Sequence, residues 1–141
     1  MQKATTSSII RTNRPMAWRE PPLTLLLLSD DDAFVKLVRE VIGPPWRIDH
    51  HKNVDRSDLF RQPNVRLVLV DDGVIKEAER GWLLGQIRQR ASGVPLMYVA
   101  DSHDLENERR ARASGAHYYT SKPVDERQFA TVLRSFLRTP D

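Results

Sequence analysis

Two short, nearly continuous apolar runs dominate the hydrophobic pattern, Leu23 to Leu28 and Val65 to Val70, each with a single polar interruption near its start. A strand apolar on both faces has no side to give to water, so each run predicts the interior of a parallel sheet covered by helices. Both runs end in acids: Ser29, Asp30, Asp31 and Asp32 follow the first, Asp71, Asp72 and Gly73 the second. After the first, Phe34, Leu37, Val38, Val41 and Ile42 recur at helical spacing, with an aspartate near the start and Gly43, Pro44 and Pro45 as the stop. Trp46 to His50 predicts a weaker strand, and Asp55 to Arg61 a short helix closed by Pro63. Val74 to Arg90 predicts a helix, with Ile75, Ala78, Trp82, Leu83 and Ile87 near helical spacing and Gly81 and Gly85 interrupting it. Val94 to Ala100 predicts a strand that tolerates Pro95 near its start, where a missing N–H does least harm. A polar helix over Leu105 to Ser114, a short strand over Gly115 to Thr120 and a last helix over Asp125 to Arg138 complete the series.

Five strands interleaved with five helices predict an α/β fold: a doubly wound, five-stranded parallel sheet in a three-layer sandwich. At 141 residues the chain has the length of one domain, expected over residues 23–138 with a three-residue tail at 139–141. Residues 1–22 are polar, hold Pro15, Pro21 and Pro22, and lack periodicity, so they are expected to be a mobile extension; Met16 offers a second start. The chain has no cysteine, which excludes disulfides and thiol-based metal or redox chemistry. No apolar run could span a bilayer, so the expectation is a soluble cytoplasmic protein with no membrane partner. The net charge of +3 arises within residues 1–22, where Lys3, Arg11, Arg14 and Arg19 stand against Glu20. The rest of the chain is balanced, so nucleic acid is not an expected partner.

In such sheets ligands sit beyond the carboxyl ends of the strands. The acids after the first strand, Asp71 after the third and Lys122 after the fifth all fall there. Gathered carboxylates resist full ionisation unless a cation joins them, and hard oxygen ligands suit Mg²⁺. With such an ion and a lysine beside it, a carboxylate can attack a phosphoryl group, and Asp71 is the best placed nucleophile. His50 and His51 are expected to be exposed, pointing to opposite faces of their strand.

The strand order, the run ending at Asp71, and above all the segment from Gly115 and Ala116 to Lys122 and Pro123 resemble the CheY-like receiver domains of bacterial two-component signalling. The resemblance covers residues 23–138 and implies a flavodoxin-like fold, often with a cis peptide at the Lys–Pro step. It implies Asp71 as phosphoacceptor, Lys122 as its charge partner, and Mg²⁺ held by Asp30, Asp71, the Gly73 carbonyl and, weakly, Ser29. Tyr119 would be the aromatic switch. It further implies a self-phosphorylating signalling module rather than an enzyme with its own substrate turnover. Its partners would be a histidine kinase or phosphotransfer protein and a downstream protein target, and a homodimer is compatible with this reading.

Several features depart from the pattern, among them Asp72 as a second carboxylate beside the acceptor and the absence of a Met-Pro step soon after it. Counting back from Phe34 puts the paired acids at Ser29 and Asp30, so one carboxylate has become a hydroxyl; a one-residue shift would give Asp30 and Asp31 instead, and spacing leaves both registers open. Ala100 stands where the pattern has a threonine or serine hydroxyl, and Asp101 follows it. A hydrogen bond to a charged group contributes about 1.5–3 kcal/mol, so its loss is expected to weaken the activated state without forbidding phosphorylation. These departures sustain a rival reading, a pseudo-receiver that binds partners without turning over phosphate.

Overall fold

The computed structural model describes residues 22–54 and 59–138. The elements in chain order are β1 (Leu23–Leu28), α1 (Asp32–Val41), β2 (Trp46–His51), β3 (Val65–Asp71), α2 (Arg80–Arg90), β4 (Leu96–Ala100), α3 (Leu105–Ala113), β5 (Tyr118–Ser121) and α4 (Glu126–Leu137). The five strands form one sheet in the order β2-β1-β3-β4-β5, all neighbours parallel, which is the flavodoxin-like arrangement. The expected helix over 55–61 falls largely on residues outside those described, as do residues 1–21 and 139–141.

Alternation along the strands sorts the core into two layers. Leu25 and Leu27, Leu67 and Leu69, and Met97 and Val99 pack with Phe34, Val35 and Val38 of α1 and Phe129 and Leu133 of α4. Leu26 and Leu28, Val68 and Val70, and Leu96, Tyr98 and Ala100 face the other way, against Leu83, Leu84 and Ile87 of α2 and Ala111 of α3. Both faces of β1, β3 and β4 are therefore buried, which is why their sequences are apolar without alternation.

Aspartates cap the starts of α1, α3 and α4. Asp31 caps α1 by accepting from Phe34 N at 3.1 Å, and Asp125 caps α4 by accepting from Gln128 N at 3.0 Å. Helix α3 ends in a two-bond turn: Gly115 N donates to Arg112 O at 3.0 Å and Ala116 N to Ala111 O at 3.0 Å. Gly115 sits at φ +99° with open space around it, so only its backbone angle demands glycine. Replacing Gly115 by alanine should cost about 1 kcal/mol, read as a lowered urea midpoint at unchanged slope.

Three expected boundaries move. Helix α2 begins at Arg80 rather than Val74, because two 3₁₀ turns, Asp72–Val74 and Glu77–Glu79, intervene. Ile75 between them is extended and buried in the core, a conformation that brings its side chain inward where a helix would not need it. Strand β5 starts at Tyr118 instead of Gly115, since Gly115 and Ala116 are engaged in closing α3. Strand β4 starts at Leu96, after a turn in which Val94 N donates to Ala91 O at 3.0 Å. The histidines of β2 are half-buried rather than exposed: His50 Nε2 lies 2.7 Å from Ser29 O and His51 Nε2 3.0 Å from Asp49 Oδ1.

Candidate functional site

Asp71 is the last residue of β3 and has no solvent exposure. A carboxylate held dry must have its oxygens satisfied, and here both are. Oδ2 accepts from Lys122 Nζ at 2.8 Å and from Ser29 Oγ at 2.7 Å, while Oδ1 accepts from Gly73 N at 3.0 Å. Ser29 reaches it because β1 and β3 are neighbours in register and residues 25, 27 and 29 share the face of 67, 69 and 71.

Lys122 follows β5 at the same rim. Its ammonium also meets Asp31 Oδ2 at 2.9 Å and lies 3.7 Å from Asp101 Oδ1. Burial alone would lower the lysine, but the hydrogen bonds to Asp71 and Asp31 prevail, so Lys122 is raised above its ordinary value. The bond from Lys122, then that from Phe34 N, holds Asp31 below the usual carboxylate range. A cleft of about 320 Å³ beside the lysine is lined by Asp31, Phe34, Lys122 and Pro123. The peptide between Lys122 and Pro123 is cis.

Of the residues singled out from sequence, the fold brings together Asp71, Lys122, Ser29, Gly73 and Asp31. Asp30 is exposed, and the carboxylate facing Lys122 is that of Asp31. Gly73 leaves room that a side chain would fill: a Cβ there would meet Asp101 Oδ1 at 3.2 Å and Asp71 Oδ1 at 3.3 Å. Ala100 is fully buried. Tyr119 is turned inward, its ring stacked on Tyr98 with centroids 5.7 Å apart and its hydroxyl buried; burial foremost pushes that hydroxyl up. Arg112 stands 6.0 Å above its ring.

Asp72, read from sequence only as a second carboxylate beside Asp71, is itself buried in a network the sequence did not reveal. Asp72 is 2% exposed and lies on the opposite side of the rim from Asp71, as successive residues leaving a strand do. Its Oδ1 accepts from Asp101 N at 2.7 Å; its Oδ2 accepts from Tyr98 Oη and Asn107 Nδ2, both at 2.8 Å, with Arg80 Nη1 3.7 Å away. Burial, and then the bond to Asp72, drive the Tyr98 hydroxyl far above the usual tyrosine range. The signal available was polar residues, Tyr98 and Asn107, at positions whose neighbours are core.

No protein-family profile and no curated protein sequence matches this chain. Solved structures do. A response regulator from Thermotoga maritima superposes with a TM-score of 0.69 at 17% identity, covering 84% of this chain and 99% of its own. The fold is that of response-regulator receivers. A signal receiver domain from Clostridium thermocellum gives a TM-score of 0.71 at 20% identity, covering 82% of this chain and 98% of its own. An orphan response regulator of H. pylori gives 0.68 at 20% identity, covering 85% of this chain and all of its own. In the receiver fold the carboxyl ends of β1, β3 and β5 meet at one rim, where this chain carries Ser29, Asp71 and Lys122. Among the described residues no helix is long and apolar enough to cross a membrane.

Proposed function

We propose that this chain is a response-regulator receiver that accepts a phosphoryl group on Asp71 from a histidine kinase or phosphotransfer protein. The observation that carries the reading is the fully buried Asp71 carboxylate, held at 2.8 Å by Lys122. An oxygen of Asp71 forms the new bond to phosphorus as the bond from phosphorus to the donor's nitrogen breaks, the electron pair leaving on the imidazole, which takes a proton. Lys122 balances charge on the phosphoryl oxygens, and the Gly73 N–H keeps the carboxylate oriented. Asp31, Asp71 and the Gly73 carbonyl are hard oxygen donors on one rim, and Mg²⁺ needs only one or two carboxylates beside its waters. These residues would hold the ion, whose bound charge would neutralise the phosphoryl oxygens. Asp30, exposed beside them, would enter that set only through water.

The alternative, a pseudo-receiver acting as a phosphorylation-independent interaction module, is favoured by two observations. Ser29 donates to the same Asp71 oxygen as Lys122, and Ala100 offers no hydroxyl to couple Tyr119 to a phosphoryl group. Intact mass after incubation with acetyl phosphate and Mg²⁺ separates the two. A phosphoryl adduct that is absent in Asp71→Asn and in chelator establishes the receiver. Should no adduct form at short times, and beryllofluoride leave the amide resonances around Asp71 unmoved, the pseudo-receiver stands.

A further inference from the structure

Charge in this fold is segregated by pole. A parallel sheet places the amino ends of its strands, with the carboxyl ends of the intervening helices, at the pole opposite Asp71. Among the described residues, the last helical turns and the loops feeding the strands there hold one acid, Glu40. Arginines crowd the same segments, including Arg66, Arg88, Arg90, Arg134 and Arg138, all exposed and none in an ion pair with another described residue. The charge balance read from sequence therefore does not describe the surface a polyanion would meet at this pole. Helix dipoles account for arginines in last turns such as Arg88, Arg90 and Arg134. They do not account for Arg66, which lies on β3.

The same pole is furrowed. A cleft of about 650 Å³ is lined by Trp46, Arg66, Phe136 and Arg138. Through Trp46 and Arg138 it adjoins one of about 540 Å³ that holds Arg134. Through Ser92, Gly93 and Val94 it adjoins another of about 550 Å³ that holds Arg88. The clefts share lining residues, and one of them sets Arg66 and Arg138 beside the half-buried aromatics Trp46 and Phe136.

We propose that this basic pole binds single-stranded nucleic acid, its phosphates on Arg66, Arg88, Arg134 and Arg138 and a base packed against Trp46 and Phe136. The guanidinium fork matches phosphate oxygens in pairs, and stacking on an aromatic face requires a base free of its duplex. An anionic bilayer fits less well, because Trp46 and Phe136 are half-buried and cannot protrude into it, and the one large exposed hydrophobic among the described residues is Leu105, at the start of α3 on the opposite pole. An acidic peptide would use the arginines and leave the aromatic faces idle.

The test is fluorescence anisotropy of a labelled oligothymidine of about twenty nucleotides with the full chain, over about 50–200 mM salt. Arg66→Glu with Arg138→Glu is compared with Lys76→Glu with Arg127→Glu, an equal change of net charge on exposed residues of the acidic pole. The groove pair should weaken binding by about tenfold or more and flatten the salt dependence, while the other pair changes affinity by less than about twofold. Arg66→Gln with Arg138→Gln, checked by its urea transition, separates a lost contact from a damaged fold. The proposal is overturned if the oligonucleotide does not bind at low salt, if both pairs weaken it equally, or if removing residues 1–22 abolishes binding that the groove pair leaves intact. Equal affinity for the duplex or for polyglutamate overturns it too, by making the pole a surface for polyanions at large.

Discussion

Lys122→Met is expected to destabilise the fold by about 3 kcal/mol and to slow phosphoryl-adduct formation about a hundredfold. Three carboxylates converge on this one ammonium: Asp71 at 2.8 Å, Asp31 at 2.9 Å and Asp101 at 3.7 Å. Asp31 and Asp101 reach water and can relax, but Asp71 has no exposure. Removing the lysine leaves that buried charge with only the dipoles of Ser29 Oγ and Gly73 N to hold it. Breaking a buried pair from one side costs more than the pair was worth, because the remaining ion is uncompensated. The double variant Lys122→Met with Asp71→Asn should therefore regain most of the lost stability, since the neutral amide can keep its oxygen toward Gly73 N and turn its Nδ2 toward Ser29 Oγ, whose hydroxyl can rotate to accept. Urea unfolding of the four proteins in the cycle measures this coupling. A single variant within about 0.5 kcal/mol of the parent would mean that solvent, and not the lysine, compensates Asp71.

How much of this was legible in the sequence depends on whether a residue's role is set by its own segment or by a partner far along the chain. Leu25 to Leu28 and Leu67 to Val70 announced strands buried on both faces, and all eight lie at 0% exposure. Asp71 and Lys122 stood at strand ends, where any such sheet places its ligands, and the fold brings them to 2.8 Å. The acid beside them was less legible, because one residue of register decides it. Asp31 is placed by its second task, capping α1 through Phe34 N, which turns its other oxygen toward Lys122 and leaves Asp30 outside. Counting from Phe34 supplied a number without the cap geometry that fixes it. The start of α2 was hidden for a similar reason: Ile75 and Ala78 fit a helical period, but the bond from Gly73 N to Asp71 commits the chain to a tight turn first. Least visible was the polar separation of charge, since a sum over residues carries no direction until the topology assigns each loop to one end of the sheet.

The same distinction governs Asp72, whose neighbours in space are residues 98, 101 and 107. Asp72→Ala is expected to lower stability by about 3–5 kcal/mol, an effect of the size found when a buried network loses its hub. Three donors lose their acceptor at once: Tyr98 Oη, Asn107 Nδ2 and Asp101 N. Tyr98 and Asn107 are 1% and 4% exposed, so water cannot replace the carboxylate without opening the layer between β4 and α3. Asp72→Asn distinguishes hydrogen bonding from packing. Its amide is nearly isosteric, yet it turns one acceptor into a donor facing Tyr98 and Asn107, and should recover only part of the loss through rotation of the Tyr98 hydroxyl and a flip of Asn107. Tyr98→Phe removes one donor and leaves the acceptor with two others, so about 1 kcal/mol is expected. The order Ala, then Asn, then Phe in urea midpoints is the signature of a carboxylate that organises its surroundings. Asp72→Ala unfolding within about 1 kcal/mol of the parent would instead show that water enters the site and that the layer is not closed. Because Asp101 N is one of the three donors and the Asp101 carboxylate lies 3.7 Å from Lys122, the network also sets where the loop after β4 stands over Asp71. Loosening it should therefore reach the acceptor, and the rate of adduct formation in Tyr98→Phe, a variant expected to remain folded, is where that connection is read.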